Sequence, residues 1–125
     1  MPRKEGTLMS VDTDRPAILI AVTSDTTVPA ELKALLDGIE EEEIPVNITQ
    51  INEPTAVERA YQAAQASRLS VGIGFDDQQI IVHYKNLPSD QPLFNVSRTD
   101  TAHFRALGAN AARLVKGVPF KKLKD

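Results

Sequence analysis

The sequence predicts an α/β fold with three layers, in which helices cover both faces of one mixed, mostly parallel sheet of about five strands. Three observations support this prediction. The elements follow the order βαβαβββα, short apolar runs alternate with helices that are apolar on one face, and a polar connection of three residues joins two of the strands. Right-handed crossovers then place helices on both sides of the sheet.

A buried strand followed by a one-faced helix opens the predicted domain. Residues 17–22 (AILIAV) are continuously apolar, which is typical of an interior strand that is covered on both faces. After a polar turn, Pro29 suits the first turn of a helix that ends in four glutamates at residues 40–43. The apolar side chains of this helix recur with helical spacing at Leu32, Leu35, Leu36 and Ile39.

The second strand and the second helix follow directly. Pro45 stops the first helix, and residues 46–51 (VNITQI) alternate apolar with polar side chains, as a half-exposed edge strand does. Residues 52–54 (NEP) are predicted to open the second helix. Its predicted apolar face consists of Val57, Ala60, Tyr61 and Ala64.

Three strands and a helix complete the chain. Residues 69–75 (LSVGIGF) and 79–84 (QIIVHY) are predicted strands, and the short connection at residues 76–78 makes them antiparallel. Residues 93–96 form a short fifth strand, and the last helix spans residues 101–116. Its inward side chains are predicted to be Phe104, Leu107, Ala111, Leu114 and Val115.

The boundaries of the predicted domain follow from these elements. Gly117 is predicted to end the last helix, because glycine accepts the left-handed conformation found at helix C-termini. Residues 1–16 have a short basic start but no apolar segment, so we expect a flexible tail rather than a signal peptide. Residues 17–125 are then a single α/β domain, which we expect to be cytoplasmic.

Composition and charge exclude several classes of function. The chain has 125 residues, no cysteine, no tryptophan, two histidines and a net charge of −3. Disulfides and thiolate chemistry are therefore excluded. Nucleic-acid binding is disfavoured, because neutralising the phosphate backbone requires a basic surface. No apolar run approaches the length of a membrane span.

No residue pattern in the chain assembles a catalytic site. Gly72 and Gly74 lie inside a strand, where they favour close backbone packing, and no nucleotide-binding loop is present. His83 and His103 lack a nucleophile or carboxylate at a catalytic spacing, which favours a structural or surface role. The residues by themselves therefore predict a non-catalytic domain that binds no nucleotide on its own.

The four glutamates at residues 40–43 leave two interpretations open. Like charges at the C-terminal end of a helix oppose its macrodipole and repel one another. They are either a solvated polar terminus or a site where one carboxylate meets a cation, which is a hard metal such as Mg²⁺ or a basic group of a partner. Arg113, Lys116 and the lysines that follow form a basic end, which either solvates the terminus or pairs with an acidic partner surface.

Four stretches of the sequence carry a family resemblance. They are GIEEE with the following IP at residues 38–45, VGIGFD at residues 71–76, VHYKNLP at residues 82–88 and NAARLVKGVPF at residues 110–120. Together they resemble the small subunit of the diol/glycerol dehydratase reactivase, over about residues 17–123. Glu43 departs from this pattern, in which we expect glycine. The resemblance implies the fold of the medium subunit of cobalamin-dependent diol dehydratase.

The resemblance also implies a function. Reactivases of this family are chaperone-like complexes of the small subunit with a large ATPase subunit, which is related to the Hsp70/actin fold and binds ATP or ADP. They reactivate adenosylcobalamin-dependent diol or glycerol dehydratase by releasing damaged cobalamin. The small subunit resembles the medium subunit of the dehydratase and takes its place on a shared surface. The implied role is that of a non-catalytic subunit in a cytoplasmic hetero-oligomer, either free or associated with a bacterial microcompartment.

Two candidate sites follow from the same stretches. The resemblance points to Glu41 as a ligand of Mg²⁺ at the interface with the large subunit, and Mg²⁺ commonly takes one or two protein carboxylates. His83, Lys85 and Asn86 lie at the end of a strand and in an exposed turn. They are candidates either for the partner interface or for shaping the last crossover of the fold.

A second hypothesis assigns the chain to an enzyme. The medium subunit of the dehydratase itself shares the implied fold and lines part of the cobalamin site. We expect that subunit to have more chain before the common domain, which favours the reactivase. A free-standing ligand-binding domain is the remaining alternative.

Overall fold

A five-stranded mixed sheet runs through residues 15–123, the part of the chain that the structure, a computed structural model, describes. The predicted tail at residues 1–16 lies outside these residues, apart from Arg15 and Pro16. The strands are β1 (Ile18–Val22), β2 (Val46–Gln50), β3 (Val71–Phe75), β4 (Gln79–Tyr84) and β5 (Phe94–Ser97). Their order across the sheet is β2-β1-β3-β4-β5, which confirms β2 as an edge strand.

The direction of the strands confirms the predicted mixed sheet. Strand β1 pairs in parallel with β2 on one side and with β3 on the other. Strand β4 is antiparallel to β3, as the short connection between them requires, and it is also antiparallel to β5. Four strands therefore run the same way and only β4 is reversed. All five residues of β1 are buried, as their continuous apolar sequence predicts.

Three helices cover the two faces of this sheet. A 3-10 turn at Ala30–Leu32 leads into α1 (Lys33–Glu41), and another at Thr101–His103 leads into α3 (Phe104–Lys116). These two helices pack on each other over one face, whereas α2 (Ala56–Ala66) packs on the other face against β1, β3 and β4. The arrangement is the predicted three-layer α/β fold.

The main core lies between the sheet and the pair α1 and α3. Apolar side chains of β1, β3 and β4 meet those of the two helices there; the largest fully buried ones include Ile18, Ile20, Leu35, Ile39, Ile73, Phe104 and Leu107. Close contact between the helices depends on two glycines. A Cβ at Gly38 would overlap the Arg105 carbonyl, and a Cβ at Gly108 would overlap the Leu35 carbonyl.

The buried face of α2 differs from the predicted one. Ala60 and Ala64 are buried as expected, whereas Val57 and Tyr61 are only half-buried, and Ala56, Arg59 and Ala63 complete the buried face. The helix begins at Ala56 rather than at residues 52–54, because the Thr55 hydroxyl caps it by accepting a hydrogen bond from the backbone N–H of Glu58 at 3.0 Å.

The glycines of β3 explain this difference. A Cβ at Gly72 would overlap the backbone of Ala60 and Ala64, and one at Gly74 would overlap the Ala56 carbonyl. Their bare backbone lets α2 approach so closely that its alanine face, rather than its larger side chains, meets the sheet. This contact confirms that the glycines serve close packing.

Candidate functional site

Three of the four stretches that carry the resemblance meet at one edge of the sheet. At this edge, which we call the amino edge, β1, β2, β3 and β5 begin and β4 ends. Pro45, after α1, accepts a hydrogen bond from the N–H of Ile18 at 2.9 Å. Lys85, after β4, donates its backbone N–H to the Ser70 carbonyl at 2.9 Å. The segment after α3 arrives at the same edge, where the rings of Phe120 and Phe94 lie 5.2 Å apart.

At the acidic end of α1, Glu41 forms an ion pair within the chain. Arg105 of α3 donates Nε to Oε1 of Glu41 at 3.1 Å, and its Nη2 contacts Oε2 of the same carboxylate. This pairing joins the end of α1 to the start of α3. The Glu41 side chain remains 42% exposed, so its carboxylate stays accessible at the amino edge.

Glu42 is more enclosed and pairs with the other end of α3. Lys116 Nζ lies 2.6 Å from Oε1 of Glu42, and Arg113 Nε lies 3.1 Å from Oε2. These hydrogen bonds, first from Lys116 and then from Arg113, lower the pKa of Glu42 below its ordinary value. Glu42 therefore remains ionised at neutral pH, and the two cations offset the repulsion expected for the acidic run.

The remaining two glutamates of the run are exposed. Glu40 occupies the last turn of α1, and Glu43 follows the helix with a φ of 64°, in the left-handed region that favours glycine. Glu43 is the position at which the resemblance leads us to expect glycine. The acidic run is thus neither wholly solvated nor held by one cation, since Glu41 and Glu42 pair with α3 and their neighbours face solvent.

The end of β4 is organised by His83. Its imidazole is fully buried, packs edge-on against Tyr61 with the ring centroids 5.2 Å apart, and accepts a hydrogen bond at Nδ1 from the N–H of Tyr84 at 3.0 Å. Nε2 lies 3.2 Å from the Ser89 carbonyl oxygen, and Nδ1 also lies 3.1 Å from the Tyr84 carbonyl oxygen. His83 is not accessible to a partner, and its contacts stabilise the turn that follows.

Lys85 and Asn86 are exposed in that turn. The backbone of Lys85 is held on both sides, because its carbonyl also accepts a hydrogen bond from Gln65 Nε2 at 2.9 Å. The side chain of Asn86 donates Nδ2 to the Tyr84 hydroxyl at 3.5 Å. The turn therefore presents one ammonium and one amide on a fixed backbone. His103, the other histidine, lies half-buried in the 3-10 turn before α3.

A crevice of about 610 Å³ lies at the opposite edge of the sheet, beyond the carboxyl ends of β1 and β3. Two arginines line it, and both bind other groups of the same chain. Arg59 donates to the carbonyls of Glu53 and Phe75 at 2.8 Å, and Arg98 pairs with Glu31 at 2.6 Å. These arginines bind the surrounding loops together.

The sequence patterns assign no role to Arg59 or Arg105, and they place Arg113 only in a basic end that solvates the terminus or pairs with a partner. Arg59 is buried on the apolar face of α2, and Arg105 and Arg113 receive the glutamates at the end of α1. Arg59 lies three residues after Ala56 and four before Ala63, so the helical period could have placed it on their buried face. The partners of Arg105 and Arg113, by contrast, lie 64 and 71 residues away in the chain.

Metal-ligand clusters and membrane-spanning helices are both absent from residues 15–123. No group of three or more His, Cys, Asp or Glu side chains there could hold a metal ion. A cation at Glu41 would therefore need ligands from water or another molecule. No helix in this part of the chain is both long and apolar enough to cross a bilayer.

Comparison with known proteins identifies the family. The family model described as dehydratase medium subunit matches residues 15–121. The diol dehydratase-reactivating factor small subunit of Klebsiella michiganensis is 44% identical over 111 residues, which cover 88% of this chain and 87% of that protein. The propanediol dehydratase-reactivating factor small subunit of Salmonella typhimurium is 45% identical over 109 residues, covering 86% and 92%.

Solved structures agree with these matches. A chain in the structure of a diol dehydratase-reactivating factor complexed with ADP and Mg²⁺ is 44% identical, has a TM-score of 0.77, and aligns over 86% of this chain and 98% of its own length. A glycerol dehydratase reactivase chain is 29% identical, with a TM-score of 0.80 and coverage of 87% and 99%. The chain therefore belongs to the family of small subunits of diol and glycerol dehydratase-reactivating factors.

Proposed function

We propose that this chain assembles with a large ATPase subunit and helps to reactivate an adenosylcobalamin-dependent diol or glycerol dehydratase. The observation that carries this proposal is the match of a dehydratase medium-subunit model to a chain whose relatives are named as reactivating-factor small subunits. Two proteins of one fold compete for the same surface, and differential affinity decides which one occupies it.

Exchange of subunits then accounts for the release of damaged cobalamin. ATP or ADP on the large subunit shifts its affinity for this chain, and the vacated surface engages the dehydratase. The cofactor escapes because contacts within the dehydratase are disturbed. This chain takes no part in covalent chemistry and needs no nucleotide site of its own. We assign it to the cytoplasm, either free or associated with a bacterial microcompartment, which cell fractionation distinguishes.

The amino edge is the face that we assign to the large subunit. Glu41, Lys85 and Asn86 are all exposed there, on backbone that α3, Ser70 and Gln65 hold in place. His83 acts indirectly, by bracing the turn that presents Lys85 and Asn86. Charged and polar groups on rigid backbone give an interface its register and orientation.

Glu41 is the residue that we assign to Mg²⁺ at this interface. The donor chemistry fits, since Mg²⁺ takes one or two carboxylates and retains several waters. The carboxylate would have to exchange Arg105 for the metal, and its remaining ligands would come from water or the large subunit. Subunit affinity with and without Mg²⁺ tests this for wild type, Glu41→Gln and the control Glu40→Gln. We expect Mg²⁺ to strengthen wild type and control but not Glu41→Gln; equal strengthening of all three, or of none, contradicts the assignment.

The main experiment is affinity purification of the full chain from cells that contain the large subunit and the dehydratase subunits. We expect the large subunit to co-purify, and the amount to differ between ATP, ADP and no nucleotide. Co-purification with a cobalamin-containing catalytic subunit instead would support the alternative, in which the chain is the dehydratase medium subunit. Calorimetry on the isolated chain adds a second measurement, since micromolar binding of ATP or cobalamin would contradict a non-catalytic role.

A further inference from the structure

The segment after α3 exposes two apolar side chains that lie two residues apart in the chain. We call Val118, Pro119 and Phe120 the VPF segment. Val118 is 41% exposed and Phe120 is 45% exposed, and with Ile48 they are the large apolar side chains that the described residues present to solvent. Ile48 lies apart from them, on edge strand β2. Two exposed apolar side chains within one segment of three residues are more informative than scattered ones, which are normal on protein surfaces.

Hydrogen bonds from α3 hold the backbone of the VPF segment and of the residue after it. Asn110 is fully buried, and its side-chain amide forms two hydrogen bonds to the backbone of Lys121, at 2.9 and 2.6 Å. Arg113 Nη1 donates to the Pro119 carbonyl at 3.0 Å, and the Phe120 ring packs edge-on against Phe94. Buried polar groups thus fix a backbone whose apolar side chains face outward, so little conformational entropy is lost when a partner covers them.

Basic side chains border the VPF segment. Lys121 and Lys122 are exposed directly after it, and neither forms an ion pair with another residue of the part described. A central aromatic residue with a charged rim is the arrangement of a binding hot spot. The matching surface on a partner is an apolar pocket bordered by carboxylates.

The VPF segment is continuous with the face assigned to the large subunit. Arg113 joins the two directly, because it contacts Glu42 at the end of α1 through Nε and Pro119 through Nη1. Resting on the proposed function, we propose that the VPF segment is an apolar anchor that docks into an acid-rimmed pocket of the large ATPase subunit.

Affinity of the full chain for the purified large subunit, measured by calorimetry, tests this proposal. Val118→Ser and Phe120→Ser are each expected to weaken binding at least about tenfold. The control Ile48→Ser removes an equally exposed apolar side chain at a different place and should leave the affinity within about twofold. Lys121→Glu with Lys122→Glu should weaken binding most at low salt. Thermal unfolding identifies any loss caused by misfolding, and Val118 carries the test if Phe120→Ser is unstable.

The outcomes separate this proposal from the proposed function. If wild type does not bind the large subunit, the proposed function fails. If wild type binds and the variants at Val118 and Phe120 bind equally well, only the anchor is overturned. Sedimentation shows whether the VPF segment instead joins two copies of the chain, and titration with the dehydratase shows whether it contacts the client. Loss of either interaction with unchanged affinity for the large subunit also overturns the proposal.

Discussion

The buried side chain of Asn110 closes a pair of hydrogen bonds on the backbone of Lys121, eleven residues further along the chain. Its Nδ2 donates to the Lys121 carbonyl at 2.9 Å, and its Oδ1 accepts from the Lys121 N–H at 2.6 Å. The side-chain amide of Asn110 thus pairs with one backbone N–H and one backbone carbonyl of the C-terminal segment, as a neighbouring strand would within a sheet. It gives the segment a defined path across the amino edge.

Substitution of Asn110 tests this relationship. Asn110→Ala should destabilise the fold by about 2–3 kcal/mol, because it removes two hydrogen bonds and leaves a cavity in a buried place. Urea unfolding measures the change in free energy. Asn95→Ala on the exposed side of β5 is the matched control and should change stability by less than about 0.5 kcal/mol. Equal stability of both variants would show that the two hydrogen bonds of Asn110 contribute no net stability.

Substitution by glycine should stabilise the fold at Glu43 and destabilise it at Glu40. Glu43 has a φ of 64°, which costs a residue with a Cβ more than it costs glycine, so Glu43→Gly should stabilise by about 0.5–1 kcal/mol. Glu40 lies in the last turn of α1, where glycine should destabilise by about 0.5–1 kcal/mol. Both variants remove one carboxylate from the same helix end. Chemical denaturation compares them, and a shift in the same direction for both would implicate charge rather than backbone conformation.

Glu42 should make stability depend on pH on the acid side. Hydrogen bonds from Lys116 and Arg113 lower its pKa in the folded chain, so its stabilising contribution is complete above pH 4.5, the ordinary glutamate value, and disappears as pH falls through the lowered pKa. Glu42→Gln should therefore be less stable than wild type at pH 7, and the difference should shrink below pH 4.5.

Unfolding free energies of both proteins between pH 7 and pH 3 measure this difference. Glu40→Gln is the control, since Glu40 forms no ion pair with another described residue. A difference between wild type and Glu42→Gln that stays constant over the whole range would contradict the linkage.

Alanine at Gly72 should be far more disruptive than alanine at Gly117. A Cβ at Gly72 overlaps the backbone of Ala60 and Ala64, so we expect a loss of roughly 3 kcal/mol or displacement of α2. A Cβ at Gly117 meets nothing within 4 Å, and only its φ of 70° opposes the change, at a cost of about 1 kcal/mol. Thermal unfolding ranks the two variants. Similar losses would mean that the contact between α2 and β3 adjusts readily.

Lys85 and Asn86 should affect assembly rather than stability. Their side chains are exposed, and the turn is held by backbone hydrogen bonds and by His83, so alanine at either position should leave the melting temperature nearly unchanged. We expect each variant to bind the large subunit more weakly, by about two- to tenfold. If both stability and assembly are unchanged, the turn has neither of the roles considered for it.

Local sequence patterns predicted most of the fold, because they report properties of single elements. The apolar run of β1, the alternation in β2 and the short turn before β4 each identified a strand and its place or direction. Gly117 ended α3 with a φ of 70°, as its position predicted. Only part of the buried face of α2 was predicted correctly. The helical period indicates an apolar face, but the glycine backbone of β3 determines which side chains of that face contact the sheet.

The sequence by itself determined the order of elements, the mixed sheet and the family to which the chain belongs. Only the tertiary structure decided how its charged and polar residues are used. Glu41 and Glu42 pair with cations 64 to 74 residues away, His83 is enclosed beneath its turn, and three separate stretches meet at the amino edge. The physical reason is that the hydrophobic periodicity of a helix or strand depends only on residues close together in the sequence. Ion pairs and shared edges exist only after crossovers bring distant helix ends together.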